Sequence, residues 1–445
     1  MPHPQDFAVR QLGEAVFDTP LKKLAPSHFA PIRFTTDDQR VPYDVDLRDG
    51  FEFRPDLSFE RGGPRERLYF DPSNVRAAIV TCGGLCPGIN NVIRSIVMQL
   101  RHGYGCPEVF GIHYGYRGIQ PSAQPQPSVL NPDMVSEIHK QGGTFLGSSR
   151  GPVDPKVMVD FLRSKRIKIL FTIGGDGTQR GALDLANTAY DQGYELAVIG
   201  VPKTIDNDIP YVFRTFGHLT AVEEAVNVIE KAHYEARGCI RGVGLVKLMG
   251  RHAGYIAANA ALGSQEVNFC LIPEVPFHLE GPSGLFELIE QRLGMRRHAV
   301  IVVAEGAGQD LLGEEAGAGT DASGNRRLGD IGPHLAREIR KYFSQIGKPV
   351  DLKYIDPSYI IRSAPANVTD ALFCDQLARN AVHAGLAGKT GIVIGNWHGV
   401  STHVPISMVA RERRYVTEDG ELWQSVLRTT GQPARIGFAP VEEPH

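Results

Sequence analysis

Short apolar runs that end in glycine recur along most of this 445-residue chain, and they narrow its possible folds more than any other feature. They occupy residues 76–81, 109–114, 167–173, 196–201, 244–248, 269–272, 299–304 and 391–394. The runs are rich in Val and Ile and have no polar alternation, as strands covered on both faces do. Between them apolar residues fall three and four apart, as at Val92, Ile93, Ile96, Val97 and Leu100, and at Leu219, Val222, Ala225, Val226 and Ile229. That is the spacing of a helix face. Alternating strand and helix builds a parallel sheet with right-handed crossovers. The strands are too many for one ordinary sheet. The expected fold is therefore α/β, with two Rossmann-like, doubly wound parallel-sheet domains. A TIM barrel is the competing arrangement, but a glycine loop after nearly every strand suits doubly wound sheets. Such sheets bind ligands outside the carboxyl ends of their strands, at a switch point.

Residues 1–72 are rich in Pro, Arg and Asp and show no long period. They read as an N-terminal extension that wraps the fold or is partly mobile, outside the folded core. Residues 73–217 plus 361–410 are expected to form one domain, and 218–360 plus 411–445 the other. Residues 308–332, rich in Gly, Ala, Asp and Glu, read as a long surface insertion of the kind that serves as a lid or stays disordered. The net charge is −3, from 47 basic and 50 acidic residues, which argues against a nucleic-acid surface. No apolar run approaches the ~18 residues of a membrane helix. The N-terminus has neither the basic nor the apolar region of a secretory signal. Six cysteines are too sparse for a disulfide scaffold and lack zinc-site spacing. No nucleic-acid or membrane partner is expected, and a cytoplasmic location is.

Two familiar phosphate motifs are missing. Gly388-Lys389-Thr390 has the end of a GxxxxGK[ST] loop, but His383 stands where its first glycine belongs. Gly242 and Gly244 begin a GxGxxG, but Lys247 takes the third position. Three other strand-end segments carry chemistry. Cys82-Gly83-Gly84-Leu85-Cys86-Pro87-Gly88 opens a helix directly after a strand. Its glycines let backbone amides approach an anion, although a tight βα turn would read the same way. Gly174-Gly175-Asp176-Gly177-Thr178 repeats the arrangement and adds a carboxylate. Mg²⁺ wants such a group when it also touches phosphate oxygens, and a helix-capping Asp is the structural alternative. Pro202-Lys203-Thr204-Ile205-Asp206-Asn207-Asp208 places two carboxylates, a hydroxyl and a lysine at a third strand end. In phosphoryl transfer one Asp can accept the proton of the attacking hydroxyl; an Asx-rich turn is the alternative. Arg150, Arg251 and Arg362 also follow apolar runs, and guanidinium forks suit phosphate.

Gly174–Thr178, the 202–208 segment, Met249-Gly250-Arg251 and the 354–362 segment, which ends Tyr359-Ile360-Ile361-Arg362, together resemble the 6-phosphofructokinase family, from about residue 75 to 399. The N-terminal extension, Lys203 and the insertion at 321–324 look most like the ATP-dependent plant and trypanosomatid branch, which is related to pyrophosphate-dependent enzymes. The resemblance implies that Asp206 is the general base on the sugar 1-hydroxyl and that Asp176 binds Mg²⁺, with Asp208 supporting. Thr204 would hydrogen-bond the reacting oxygens, and Arg150 would lie between the two substrates' phosphates. Gly83, Tyr116, Gly175, Gly177, Thr178 and Lys203 would form the donor site. Met249, Gly250, Arg251 and Glu305 would hold the sugar, with Thr204, Asp206 and Asp208. Tyr359 and Arg362 would take its 6-phosphate, with Lys353 supplied by a neighbouring subunit. The resemblance further implies an allosteric glycolytic kinase with ATP as co-substrate, a homotetramer or homodimer whose subunits share active sites. One departure is clear: the short bacterial enzymes have a second phosphate-binding arginine seven residues before the methionine, where this chain has Gly242, with Arg241 beside it.

Gly177 bears on the choice of donor. Pyrophosphate-dependent relatives typically carry an Asp here, whose side chain would fill the space of the ATP α-phosphate and repel its charge. Glycine leaves that space open and favours ATP, while Lys203 favours pyrophosphate, since its ammonium can reach the transferred phosphoryl. Steric exclusion is close to all-or-none, so ATP is the expected donor and a pyrophosphate-dependent phosphotransferase the alternative. NAD kinases and diacylglycerol kinases share Gly-Gly-Asp-Gly-Thr but lack Thr-Ile-Asp-Asn-Asp. A non-catalytic sugar-phosphate-binding subunit would be marked by loss of Asp176 or Asp206, and both are present.

Overall fold

In the computed structural model the continuous apolar runs form buried strands. Residues 2–23, 32–46, 50, 52, 54–315, 317, 319–320 and 327–438 are described; residues 321–324 of the insertion lie outside them. In chain order the main elements are β1 (Arg40–Pro42), β2 (Ser58–Arg61), β3 (Arg76–Thr81), α1 (Ile89–Met98), β4 (Glu108–Ile112), β5 (Ser128–Leu130), α2 (Pro155–Ser164), β6 (Ile167–Gly174), α3 (Asp176–Asp191) and β7 (Ala197–Pro202). There follow α4 (His218–Gly238), β8 (Gly242–Leu248), α5 (Tyr255–Ser264), β9 (Phe269–Leu271), α6 (Leu285–Arg296), β10 (His298–Ala304), α7 (Ile331–Gln345), β11 (Asp351–Ile355), α8 (Val368–Leu386), β12 (Ile392–Trp397), β13 (Val400–Pro405) and α9 (Glu421–Thr430).

The chain divides into two units. Unit 1 comprises Met1–Thr204, Ile209–Gly217 and Ser363–Arg413; unit 2 comprises Ile205–Asp208, His218–Arg362 and Arg414–His445. Among the described residues, unit 1 holds a nine-stranded sheet in the order β1-β2-β13-β12-β7-β6-β3-β4-β5. From β12 to β4 all neighbours run parallel, and antiparallel strands close both edges. Counted along the chain, the parallel strands lie 2-1-3-4-5, the flavodoxin-like order. Its switch point falls between β3 and β6. Ile167, Ile169, Leu170, Phe171 and Ile173 of β6 have no exposed surface, and each such side chain contributes about 1.5–3 kcal/mol by leaving water. Unit 2 holds a parallel four-stranded sheet in the order β9-β10-β8-β11. The loops after β10, β8 and β11 therefore leave from one edge.

The N-terminal segment differs from the expectation that it lies outside the core. Phe7 and Phe59 are buried, with their rings edge-on at 4.9 Å, and β2 joins the sheet through β13. These strands are too short for a period to show. A buried charge cluster fixes the junction. Glu60 accepts from Arg65 at 3.0 Å and from His403 Nδ1 at 2.9 Å, and Lys389 Nζ lies 3.1 Å from it. Burial alone would raise the Glu60 pKa, but the hydrogen bonds and charges of His403 and Lys389 outweigh it and bring the pKa down to about 2. Burial also lowers the His403 pKa, against the pull of Glu60.

Removing one member of such a cluster leaves charges buried without compensation. Glu60→Gln is expected to cost about 3 kcal/mol of unfolding free energy at pH 7 in denaturant titrations. The Glu60 contribution is present above the ordinary carboxylate pKa of about 4.5 and is lost as pH falls through about 2. The gap between the two proteins should therefore shrink over that window, and a gap independent of pH would contradict the assignment.

Candidate active site

Unit 1 collects its functional loops at the switch point. After β3 the chain turns at Gly83, whose φ is +86°. Its amide donates to the Ser149 carbonyl at 3.0 Å, and Ser148 Oγ donates to the Gly83 carbonyl at 2.6 Å. A Cβ at Gly83 would lie 3.6 Å from Lys203 Nζ, and one at Gly84 would lie 3.5 Å from the Arg150 guanidinium. Lys203 is buried; its Nζ donates to the Gly84 carbonyl at 2.7 Å and its amide to the Gly174 carbonyl at 3.0 Å. The loops after β3, β6 and β7 and the 147–150 segment are thus bonded to one another. Two cations and glycine-bared backbone stand among them, a composition that suits phosphate.

The 174–178 loop opens α3. Gly175 caps the helix without a side-chain hydrogen bond. Gly177 is exposed, and a Cβ there would meet nothing within 4 Å. Thr178 is buried against Gly174. Tyr116 lies in the core of unit 1 and donates its hydroxyl to the Thr178 carbonyl at 2.7 Å, so it braces this loop through the backbone. Asp176 is the first residue of α3. Its Oδ2 accepts from Arg180, one turn later, and from Arg413 at 3.1 Å. A Mg²⁺ that arrives with phosphate takes one or two carboxylates and fills its other positions with phosphate oxygens and water. Among the described residues no group of three or more His, Cys, Asp or Glu gathers to cage a metal unaided. The donor set at Asp176 fits a cation shared with phosphate.

The 202–208 segment crosses from one unit to the other after Thr204. The Thr204 carbonyl accepts from Thr215 Oγ1 at 2.7 Å in unit 1. In unit 2, His218 Nδ1 lies 2.7 Å from the Ile205 carbonyl and is therefore the donor. Its Nε2 then accepts from Asn259 Nδ2 at 3.2 Å, which fixes the neutral tautomer. Asn207 sits at φ +56°, a left-handed conformation that Asn tolerates better than most side chains. The Asp208 carbonyl accepts the Arg414 amide at 2.9 Å. The backbone is pinned on both sides of Asp206, whose carboxylate is half-buried with Oδ1 shielded from solvent.

The rest of unit 2's candidates stand at the carboxyl ends of β8, β10 and β11. The Glu305 amide donates to Leu248 and the Gly306 amide to Gly250, at 2.8 and 3.1 Å, which ties the Met249–Arg251 loop to Glu305. Gly250 has φ +127°, and a Cβ there would lie 2.7 Å from the Ala253 carbonyl. Burial pushes the Glu305 pKa up, against the opposing charges of Arg251 and Lys247. The Arg362 guanidinium lies 4.6 Å from the Tyr359 ring centroid. Its Nε is buried without a hydrogen-bond partner among the described residues, a donor open to an anion. Lys353 is not in this group; it sits on the edge strand β11, 3.0 Å from Asp351.

Sequence reasoning missed Lys247, His218 and Arg413. Lys247 had a signal, being a lone cation inside the apolar β8 run. Its Nζ lies 2.8 Å from both Asp330 and Asp356. Burial opposes its charge, but the two carboxylates outweigh that and raise its pKa. A separate basic cavity of about 540 Å³ is lined by Arg237, Glu266, Arg292, Arg296, Arg297 and His298, among others. It lies at the amino end of β10, away from the strand ends that carry the site.

Comparison with known proteins gives concordant results. The family model described as Phosphofructokinase matches residues 76–385. The "ATP-dependent 6-phosphofructokinase" of Borreliella burgdorferi is 45% identical over 438 residues, covering 96% of this chain and 97% of that protein. The protein of the same name from Trypanosoma brucei brucei is 46% identical, covering 84% of this chain and 76% of its own. Among solved structures, the pyrophosphate-dependent phosphofructokinase of Marinobacter aquaeolei superposes with a TM-score of 0.66 at 22% identity, over 80% of this chain and 91% of that one. This last likeness is one of fold.

The opposed influences on Glu305 can be separated by titration. Its carboxyl should titrate above the ordinary range, read by ¹³C NMR with Glu305→Gln identifying the signal. Arg251→Met removes a charge that lowers the pKa, so it should move the titration further up. A downward move would contradict the proximity of the two groups.

Proposed function

The chain belongs to the phosphofructokinase family, and on that premise we propose that it transfers the terminal phosphoryl of ATP to the 1-hydroxyl of fructose 6-phosphate, giving fructose 1,6-bisphosphate. The observation that carries this reading is the bonded set of loops around Lys203, Arg150, Gly83 and Asp176, a phosphate cradle at the switch point of a doubly wound sheet. Asp206 accepts the proton of the attacking hydroxyl, and Thr204 and Asp208 hold the reacting groups with it. Arg150 and Lys203 stand beside the donor phosphates. Asp176 would hold Mg²⁺, which when bound would neutralise charge on the transferring phosphoryl. Met249, Gly250, Arg251 and Glu305 hold the sugar, and Arg362 and Tyr359 take its 6-phosphate. Arg362 Nε, buried without a hydrogen-bond partner among the described residues, has a donor to spare for that anion. Lys353, apart from this group, would act in a neighbouring copy of a homo-oligomer that shares its sites. The chain's work is positioning and charge neutralisation.

All six cysteines are free, which suits a reducing compartment such as the cytoplasm. No helix among the described residues is long and apolar enough to cross a membrane.

Asp206→Asn should lower kcat by roughly 10²–10⁴-fold with little change in either KM, measured as ADP release with fructose 6-phosphate. A fully active variant would remove the base assignment, and no turnover by the unmodified protein would favour a sugar-phosphate-binding subunit.

Donor choice is tested by offering ATP and pyrophosphate in the same assay. Lys203 is the feature that favours pyrophosphate, and open space at Gly177 is the feature that favours ATP. Because a Cβ at Gly177 meets nothing within 4 Å, Gly177→Asp should fold normally and abolish ATP use. Unchanged ATP turnover in that variant would refute the steric argument.

A further inference from the structure

One guanidinium at the donor loop comes from far along the chain and belongs to no motif. Arg413 donates to Oδ2 of Asp176 at 3.1 Å, and Arg180 donates to the same oxygen. Both contacts fall on Oδ2 and leave Oδ1 as the oxygen for a cation. The Arg413 side chain is 23% exposed, against 54% for Arg180, so Arg413 is the better shielded of the two. Its backbone is held firmly. The short helix Ile406–Val409 buries Ile406, Met408 and Val409 in the core of unit 1 and packs on α3. Arg411 then donates to Asp6 at 2.5 Å, and Glu412 accepts from Tyr211. Successive side chains of 411–413 are each anchored within unit 1, and the third ends on Asp176. A surface arginine would not need two anchored neighbours to aim it.

We propose that Arg413 is a positioning residue for the donor cation. By occupying Oδ2 together with Arg180, it fixes the carboxylate of Asp176 with Oδ1 turned to the Mg²⁺ carried by the donor phosphates. The inference rests on the reading of Asp176 as the Mg²⁺ ligand. Lysine keeps the charge but lacks the planar fork, so it replaces only part of this role.

The test is calorimetric titration of the whole protein with ADP, once with Mg²⁺ and once with EDTA, for Arg413→Met, Arg413→Lys, Asp176→Asn and the double variant. Arg413→Met should weaken Mg-ADP binding about 10-fold and leave metal-free ADP and fructose 6-phosphate within about 2-fold. Arg413→Lys should recover part of the loss. In the Asp176→Asn background Arg413→Met should have no further effect, because the arginine acts through that carboxylate. Equal losses with and without metal, or additive losses in the double variant, would overturn the proposal. If Asp176→Asn leaves the Mg²⁺ dependence intact, the metal assignment itself fails. If Asp176→Asn abolishes that dependence and Arg413→Met does not shift it, only the role of Arg413 fails. Should Arg413→Met not fold, Arg180→Met, on the exposed partner of the same oxygen, should show a smaller metal-specific loss, and a metal-independent loss there would likewise overturn the proposal.

Discussion

Two parallel strands, β3 and β6, end side by side, and the site in unit 1 follows from that adjacency. In chain order they are the first and third parallel strands, and bringing them together creates the point where the winding of the sheet reverses. The helices that follow go separate ways: α1 packs on α8, and α3 on α2. The loops that lead into them therefore part, and space for a ligand opens at the strand ends. Both loops carry glycines, which let backbone amides approach a bound anion. Lys203, delivered by the next strand, bridges from the amide bond at Gly174 to the carbonyl of Gly84. The cradle depends on strand order first and on side chains second.

Charge is managed differently at two places in unit 1. At the donor loop the carboxylate of Asp176 is shared by two guanidiniums on one oxygen. In unit 1's N-terminal junction, by contrast, Glu60 is surrounded by Arg65, Lys389 and His403 in the interior. There the charges serve the fold, since nothing reaches them from solvent. Cations alone do not mark a site; their place relative to the strand ends does. The same criterion sets aside the basic cavity beside Arg296, at the amino end of β10.

The central parallel strands were legible in the sequence because burial on both faces forces an unbroken apolar run. Residues 76–81 match β3, and 167–173 and 196–201 fall within a residue of β6 and β7. The antiparallel β13 and the edge strand β11 were not legible. β13 reads Val-Ser-Thr-His-Val-Pro, whose polar residues break the apolar run although the strand is paired on both sides, and β11 carries Asp351 and Lys353, which an edge strand tolerates because one side of it has no partner strand. Phe7 and Phe59 were missed since aromatic contacts between distant short segments leave no period. Within the site, residues that share a loop were visible together, as in Thr204–Asp208. Partners joined only by folding were not: His218 reaches the Ile205 carbonyl, and Arg413 reaches Asp176, across sequence gaps that no pattern bridges.

Unit 2 shows what a buried lysine can do at the proposed sugar-phosphate site. Lys247, Arg251 and Arg362 face Glu305, Asp330 and Asp356 at the strand ends, so the cations and carboxylates balance in number. Were they paired evenly, each arginine would be neutralised and a phosphate would meet no net field. Lys247 instead lies 2.8 Å from both Asp330 and Asp356 and takes up two carboxylates at once. That gathers two of the three carboxylates on the lysine and leaves Glu305, whose charge burial opposes, beside Arg251 and Arg362. A lysine suits the bridging position because its compact ammonium accepts two carboxylates from different directions, whereas a planar guanidinium would favour one of them.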